Sequence, residues 1–308
     1  MNWITGLQRA LDYIEDHLTE AIDYDALAKE ACSSPYHFQR VFSLLCGYTL
    51  GEYIRLRRLT LAGAELAAGK IRVIDAALKY GYDSPDAFSR AFTRFHGIPP
   101  SAAREAGVKL NTFTRLSIKL SLEGGCSMDY RIEQHTGMTL IGYRRRFTGV
   151  PHGLERTKQE EQLFTTTRAH QWMLRGIAGS YPDGDPTHIG IVEHITDEGY
   201  DFLIAAPMDA WEREHLYDSS VTGIDFMDRF GFEEIVIPPG AYAVFETEKM
   251  KYPMEASGDL REQIATHWLP ASGYVLRDAP EMEIIHWYRH PRRTKRFVEL
   301  WLPVEKQG

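Results

Sequence analysis

Apolar residues recur at steps of three and four through roughly the first hundred positions, and alternate with polar ones in many segments beyond position 128. Ile4, Leu7, Leu11, Ile14 and Leu18 predict a helix over Trp3–Leu18. A short helix follows from Asp23 or Tyr24 to Ala31. Leu50–Ala68 predicts a long helix, with Leu50, Tyr53, Ile54, Leu56, Leu59, Leu61, Ala64 and Leu66 on or near one broad face and Gly69 closing it. Val73–Tyr80 opens another short helix, and Ile98-Pro99-Pro100-Ser101 stops the helical region, because two prolines cannot continue a helix there.

Two segments of this region are copies. Ser34–Gly47 returns as Ser84–Gly97, with Ser34/Ser84, Pro35/Pro85, Phe38/Phe88, Arg40/Arg90, Phe42/Phe92 and Gly47/Gly97 in register and no gap. Serine is an N-cap, and proline tolerates the first helical position. Each phenylalanine pair, spaced i, i+4, lines one buried face, and the glycine permits a left-handed closing residue. A short helix, a turn and such a capped helix form the helix-turn-helix pattern. The expected helix between the copies is ~28 Å long at 1.5 Å per residue. With the ends of the two units, that approaches the ~34 Å between successive major-groove segments, so one chain can carry both reading helices.

Downstream, Leu116–Leu122 alternates as a strand before the break at Glu123-Gly124-Gly125. From Met128 the order strand, strand, helix, strand, strand occurs twice. The first set is Tyr130–Gln134, Leu140–Phe147, a long helix over Leu154–Gly176, His188–His194 and Tyr200–Pro207. After a helical or loop stretch near Trp211–Tyr217 come Glu234–Ile237, Ala241–Thr247, a helix near Met254–Leu269, Met282–Tyr288 and Phe297–Pro303. The last strand of each set is expected to end in proline, Pro207 and Pro303. The organisation is therefore an all-α domain over 1–107, a linker over 108–127 and an α+β domain over 128–308.

Charge alters this picture in one respect. The chain carries a net −8, but residues 1–110 hold 13 basic and 13 acidic residues, so the excess lies downstream. Arg40, Arg55, Arg57 and Arg58 form a local basic cluster able to serve a phosphate backbone. Three cysteines make no disulfide framework, and Cys32 and Cys46 are expected as small buried hydrophobes. There is no basic segment followed by an apolar run at the N-terminus and no long apolar stretch, which predicts a cytoplasmic protein without a membrane partner. The 12 histidines show no metal-ligand spacing, and no nucleophile elbow or phosphate loop occurs, so neither a metal, a cofactor nor an enzyme activity is expected. The basic runs Arg144–Arg146 and Arg292–Arg296 are expected to be solvated strand ends.

Opposite the phenylalanines, Tyr36, Gln39 and Arg40 in the first copy, and Asp86, Ser89 and Arg90 in the second, are candidates for reading bases. Arginine donates bidentately to guanine and glutamine to adenine, while serine bonds either. Asp86 is a poor phosphate neighbour; it could accept from cytosine N4 or cap its helix, or the second copy reads less tightly.

These motifs carry a resemblance. Residues 1–107 are similar to the DNA-binding domain of the AraC/XylS family of bacterial transcription regulators, through Ser34–Phe42, Gly47–Arg58, Ile74–Tyr82, Phe88–Phe92 and Gly97–Pro100. The N-terminal placement resembles the Rob-type branch. The resemblance implies that base-reading positions fall on Tyr36, Gln39, Arg40, Asp86, Ala87, Ser89 and Arg90; Asp86 and Ala87 depart from the larger polar residues of the family pattern. Residues 128–308 resemble the GyrI-like effector-binding domain through Ile189–Glu193, Tyr200–Ile204, Pro239–Glu246, Trp268–Tyr274 and Glu299–Val304. That implies duplicated ββαββ halves around a cleft, binding amphipathic and often cationic small molecules; some relatives dock a protein and some are hydrolases.

On the last strand, Phe297, Glu299 and Trp301 share one face, and Val298, Leu300 and Leu302 the other. A carboxylate between two rings suits a lipophilic cation, and Glu299 aligns with the family's ligand-contacting glutamate. Glu283, Tyr143 and Trp172 are further ligand candidates, with Trp287 and Tyr288 behind them. The expected partners are double-stranded DNA, a small-molecule effector and RNA polymerase. The alternatives are a hydrolase or a protein-docking module.

Overall fold

The computed structural model describes residues 3–105, 107–118, 128–177, 187–207, 226–288 and 292–306. The chain divides into two compact units, residues 1–39 with 50–124 and residues 40–49 with 125–308.

The helical region runs α1 (Trp3–Asp16), α2 (Tyr24–Glu30), α3 (Pro35–Cys46), α4 (Leu50–Ala67), α5 (Val73–Lys79) and α6 (Pro85–His96), then a 3₁₀ turn at Pro100–Arg104. Side chains supply the partners that first-turn amides lack. Asp23 accepts from the Asp25 and Ala26 amides at 2.9 and 3.2 Å, Ser34 from His37 at 3.2 Å and Ser84 from Ala87 at 3.1 Å. Gly47 and Gly97 close α3 and α6 at φ +72° and +77°, a conformation that a side chain would strain. Phe38, Phe42, Phe88 and Phe92 are all buried. Phe88 and Phe92 pack with Leu59 and Leu66 of α4 and Ala76 and Ala77 of α5.

The basic cluster is not a free cationic face. Arg57 grips the Glu15 carboxylate at 2.9 and 2.8 Å and donates to the Phe113 carbonyl, and Arg58 donates to the Leu18 and Glu20 carbonyls. Both arginines tie α4 to the end of α1 and the turn after it. Cys32 also differs from expectation: it is exposed and stands at φ +53°, in the turn after α2. Cys46 is half-buried, and burial pushes its thiol up to about 12.

The second region contains β1 (Tyr130–His135), β2 (Met138–Thr148), α7 (Gly153–Thr166), α8 (Arg168–Ile177), β3 (Thr187–Thr196), β4 (Gly199–Pro207), α9 (Phe226–Phe230), β5 (Glu233–Ile237), β6 (Gly240–Glu246), α10 (Met254–Gln263), β7 (Tyr274–Leu276), β8 (Glu281–His286) and β9 (Phe297–Lys306). They build one nine-stranded sheet in the order β1-β6-β9-β8-β3-β4-β2-β5, with β7 on β9. Every paired neighbour is antiparallel. Exchanging β1, β2, β3, β4 for β5, β6, β8, β9 reverses this order and reproduces it, so the duplication expected from pattern is present in the topology. One sheet face gathers Leu140, Ile189, Ile191, Leu203, Tyr242, Val244, Met282 and Trp301 into a core. The other packs Ile141, Tyr143, Phe147, Phe202 and Ile204 against Leu163 of α7 and Leu174 of α8.

Four expectations change. The helix expected over 154–176 breaks at Thr167, whose hydroxyl donates to the Leu163 carbonyl at 2.6 Å and lies 2.8 Å from the Tyr143 hydroxyl. α10 continues through a wider π-type turn at Ile264–Trp268 before a last turn at Leu269–Ala271. β9 does not stop at Pro303: Val304–Lys306 pair with β7, three residues too short to stand out in the sequence. Residues 116–118 form no strand, while 119–122, like the stretch near Trp211–Tyr217, lie outside the described residues.

Candidate nucleic-acid and effector sites

The two capped helices present unequal polar faces. On α6, Asp86 and Arg90 are exposed and Ala87 and Ser89 half-buried. On α3, Tyr36 and Gln39 are half-buried, and His37 is buried enough that its ring is pushed down to about 4 and stays neutral. Arg40 departs from its expected exposure. Residues 40–49 belong to the second compact unit, and there Arg40 is 2% exposed. Its Nε and Nη2 donate to the two Glu281 oxygens at 2.7 and 2.8 Å, a side-on bidentate pair.

Glu299 lies where the alternation of β9 puts it, on the face of Trp301 and away from the buried Val298 and Leu300. Arg131 of β1 donates to its Oε1 at 2.5 Å. His286 Nε2 stands 3.1 Å from its Oε2, and the Trp301 indole N–H donates to the same oxygen at 3.4 Å. Burial alone would raise this carboxyl, but hydrogen bonds from His286 and Arg131 override it and hold it at about 2. Phe297 stacks on His286 at 4.1 Å, and the Arg131 guanidinium lies 5.8 Å from the Trp301 ring. The site is therefore an ionised carboxylate between rings, already paired on one side with a half-exposed arginine.

Glu283 lies on the other face, beneath α7 and α10. Arg156 donates to its Oε2 at 2.5 Å and Arg261 to the same oxygen at 3.0 Å. Burial would raise this carboxyl; the Arg156 and Arg261 charges bring it down to about 2. Arg156 also bonds Glu160 at 2.5 Å, and Arg261 reaches Glu281 at 3.6 Å. Glu160 is pushed up by burial despite Arg156. A cavity of about 10 Å³ adjoins Glu160 and Glu283, closed by Phe164, Phe202, Met254 and Ile285. The structure thus separates the expected ligand residues: Glu299, Trp301 and Phe297 on one face, Glu283 and Tyr143 on the other. Tyr143 is buried against Thr167, His170 and Phe232, a packing position. Trp172 is on α8, and its side chain is outside the described residues.

Sequence reasoning missed Arg156, Arg261 and Glu281. The available signal was Glu281-Met282-Glu283: two acids on one face of a strand whose other face begins with Met282 and Ile284. It also missed a grouping of metal-ligand types, Glu193, His194 and Asp201, across β3 and β4. Arg144 Nη1 fills that group, 2.6 Å from Glu193 and 2.8 Å from Asp201. Among the described residues, no helix is long and apolar enough to cross a membrane.

Comparison with known proteins agrees with both regions. A helix-turn-helix family matches residues 27–106, and a family described as integron-associated effector binding protein matches residues 131–304. The transcriptional activator AarP of Providencia stuartii is 37% identical over 115 residues, covering 37% of this chain and 85% of that protein. The regulatory protein SoxS of Escherichia coli K12 is 37% identical over 98 residues, covering 32% of this chain and 92% of that protein. Among solved structures, a transcription regulation protein of Staphylococcus aureus is 16% identical with a TM-score of 0.40, covering 58% of this chain and 99% of that one. An integron cassette protein of Vibrio cholerae is 14% identical with a TM-score of 0.34, covering 57% and 95%. With capped helices duplicated at the front and a duplicated sheet behind them, the chain belongs to the AraC-type helix-turn-helix transcriptional regulators and carries a C-terminal effector-binding domain.

Proposed function

We propose that this regulator senses an amphipathic cation. Residues 1–107 bind duplex DNA, 108–127 link, and 128–308 hold the effector and bias DNA binding or contact with RNA polymerase. Tyr36, Gln39 and Arg40 read one groove segment, and Asp86, Ala87, Ser89 and Arg90 the next. The 18 residues of α4 span ~27 Å, which supports a single chain reaching successive segments of an asymmetric site of ~20 bp.

The observation that carries the effector reading is Glu299, a buried carboxylate kept ionised between Trp301 and Phe297. A lipophilic cation gains charge pairing there and contact with the Trp301 ring. Footprinting on genomic fragments flanking the gene, with and without tetraphenylphosphonium, tests the reading. Protection of ~20 bp whose midpoint concentration shifts with the cation is expected. A footprint that saturating cation leaves unmoved would overturn it.

A further inference from the structure

The acid–arginine cluster beneath α7 and α10 has a chemistry that Glu299 lacks. Glu160, Glu281 and Glu283 face Arg156 and Arg261, and the third guanidinium that balances them is Arg40. Glu283 is gripped by two arginines of the effector-binding region itself. Among the described residues Glu281 is gripped closely by Arg40, Arg261 standing 3.6 Å away.

We propose that this cluster is a second cation site, selective for planar cations bearing N–H groups (amidinium, guanidinium or biguanide), which Glu281 takes in the side-on manner in which it holds Arg40. The ligand and Arg40 then compete for one carboxylate. The inference rests on the effector-binding reading of residues 128–308 and names a second ligand class for it.

Three features favour a planar N–H cation over a quaternary one. Two parallel N–H···O bonds need a fork, which a tetrahedral onium ion does not have. Among the described residues, the surroundings also hold hydrogen-bonding groups with no partner: the Tyr200 hydroxyl, on a residue 0% exposed, and both ring nitrogens of His152. Burial pushes the His152 ring down to about 3, so it is neutral and one of its nitrogens accepts. An amidinium has further N–H groups for such acceptors; a quaternary ion has none. Finally, the adjoining cavity of about 10 Å³ holds at most one water, so the flat head of a ligand must take the place of the Arg40 guanidinium and not an empty space. The walls of that cavity, Phe164, Phe202, Met254 and Ile285, are apolar and suit an aryl tail once the side chains part. Arg40 cannot hold Glu281 and a base edge together, so a ligand that takes Glu281 makes Arg40 available to DNA.

Isothermal titration of the full chain with benzamidine, phenylbiguanide and tetraphenylphosphonium tests this. Glu281→Gln should weaken the two planar cations by roughly 10- to 100-fold and leave tetraphenylphosphonium unchanged. Arg40→Ala should tighten the planar cations several-fold, because their competitor is gone. If Glu281→Gln fails to fold, Arg40→Ala decides alone. Equal loss of all three probes in Glu281→Gln, or no tightening in Arg40→Ala, overturns the inference. Binding of tetraphenylphosphonium with none of the planar cations sinks the inference and leaves the proposed function standing; no binding of any probe sinks both.

Discussion

Glu299 and Glu283 stand on neighbouring antiparallel strands, one rung apart, since Glu283 pairs with Leu300 and Ile284 with Glu299. Both are buried, and both are held near 2 by cationic partners. A shift of one residue nevertheless turns them to opposite faces. Glu299 meets rings, a histidine and an arginine whose side chain is 39% exposed. Glu283 meets two arginines, 6 and 7% exposed, beneath helices. The same residue type on adjacent strands therefore makes a ring-lined, partly hydrated site on one face and a closed ionic cluster on the other. The first suits a bulky lipophilic cation. The second tolerates only a cation that replaces a guanidinium bond for bond.

The largest effect that separates the two sites is on stability. Arg156→Met leaves Glu283 and Glu160 without their closest cation in the interior and should cost ~3–5 kcal/mol in urea unfolding. Arg131→Met, at the half-exposed pair, should cost under ~1 kcal/mol. Equal costs would erase the distinction between the faces.

Arg40→Ala should lose about 1–3 kcal/mol at a specific DNA site. Because Arg40 also satisfies Glu281, the substitution should lower the unfolding midpoint as well, whereas Arg90→Ala, at an exposed position, should weaken DNA binding with the midpoint unmoved. A stable Arg40→Ala protein would show that Glu281 has no need of it.

Glu299→Gln should weaken tetraphenylphosphonium by roughly tenfold, the value of one charge-assisted contact, and spare neutral aromatics. Equal loss of both would mean that the rings bind and the charge does not.

The smallest effect is with pH. The folded-state pKa of Glu299 lies below its unfolded value, so its contribution to stability is full above about 4.5 and is lost as pH falls toward 2. Glu299→Gln should therefore lose less stability than the parent between pH 4.5 and 2, read as melting temperature. Parallel melting curves would contradict the pairing of Glu299 with Arg131 and His286.

Most of the helical region was legible because local chemistry determines it: serine caps, proline at the first position, phenylalanines four apart and closing glycines need no distant partner. The strand alternation of β9 likewise placed Glu299 and Trp301 on one face and Val298 and Leu300 on the other. What stayed hidden depended on residues far apart in the chain. In sequence Arg57 reads as available for phosphate, but Glu15, from another helix, claims it. Glu281 and Glu283 become a site only when Arg156 and Arg261 arrive from α7 and α10. The break at Thr167 required the Tyr143 hydroxyl, from a strand earlier in the chain, to meet it. Pro303 was a misleading stop, because its carbonyl still accepts from the Arg277 amide and the strand continues.

The most direct test of a cation-sensing regulator is reciprocal titration of the full chain with a DNA fragment identified by footprinting and with tetraphenylphosphonium. The cation should change the DNA dissociation constant, and DNA should change the cation dissociation constant by the same factor, of order 5- to 150-fold for a typical coupling. A factor of one in both directions, with each ligand binding on its own, would contradict it.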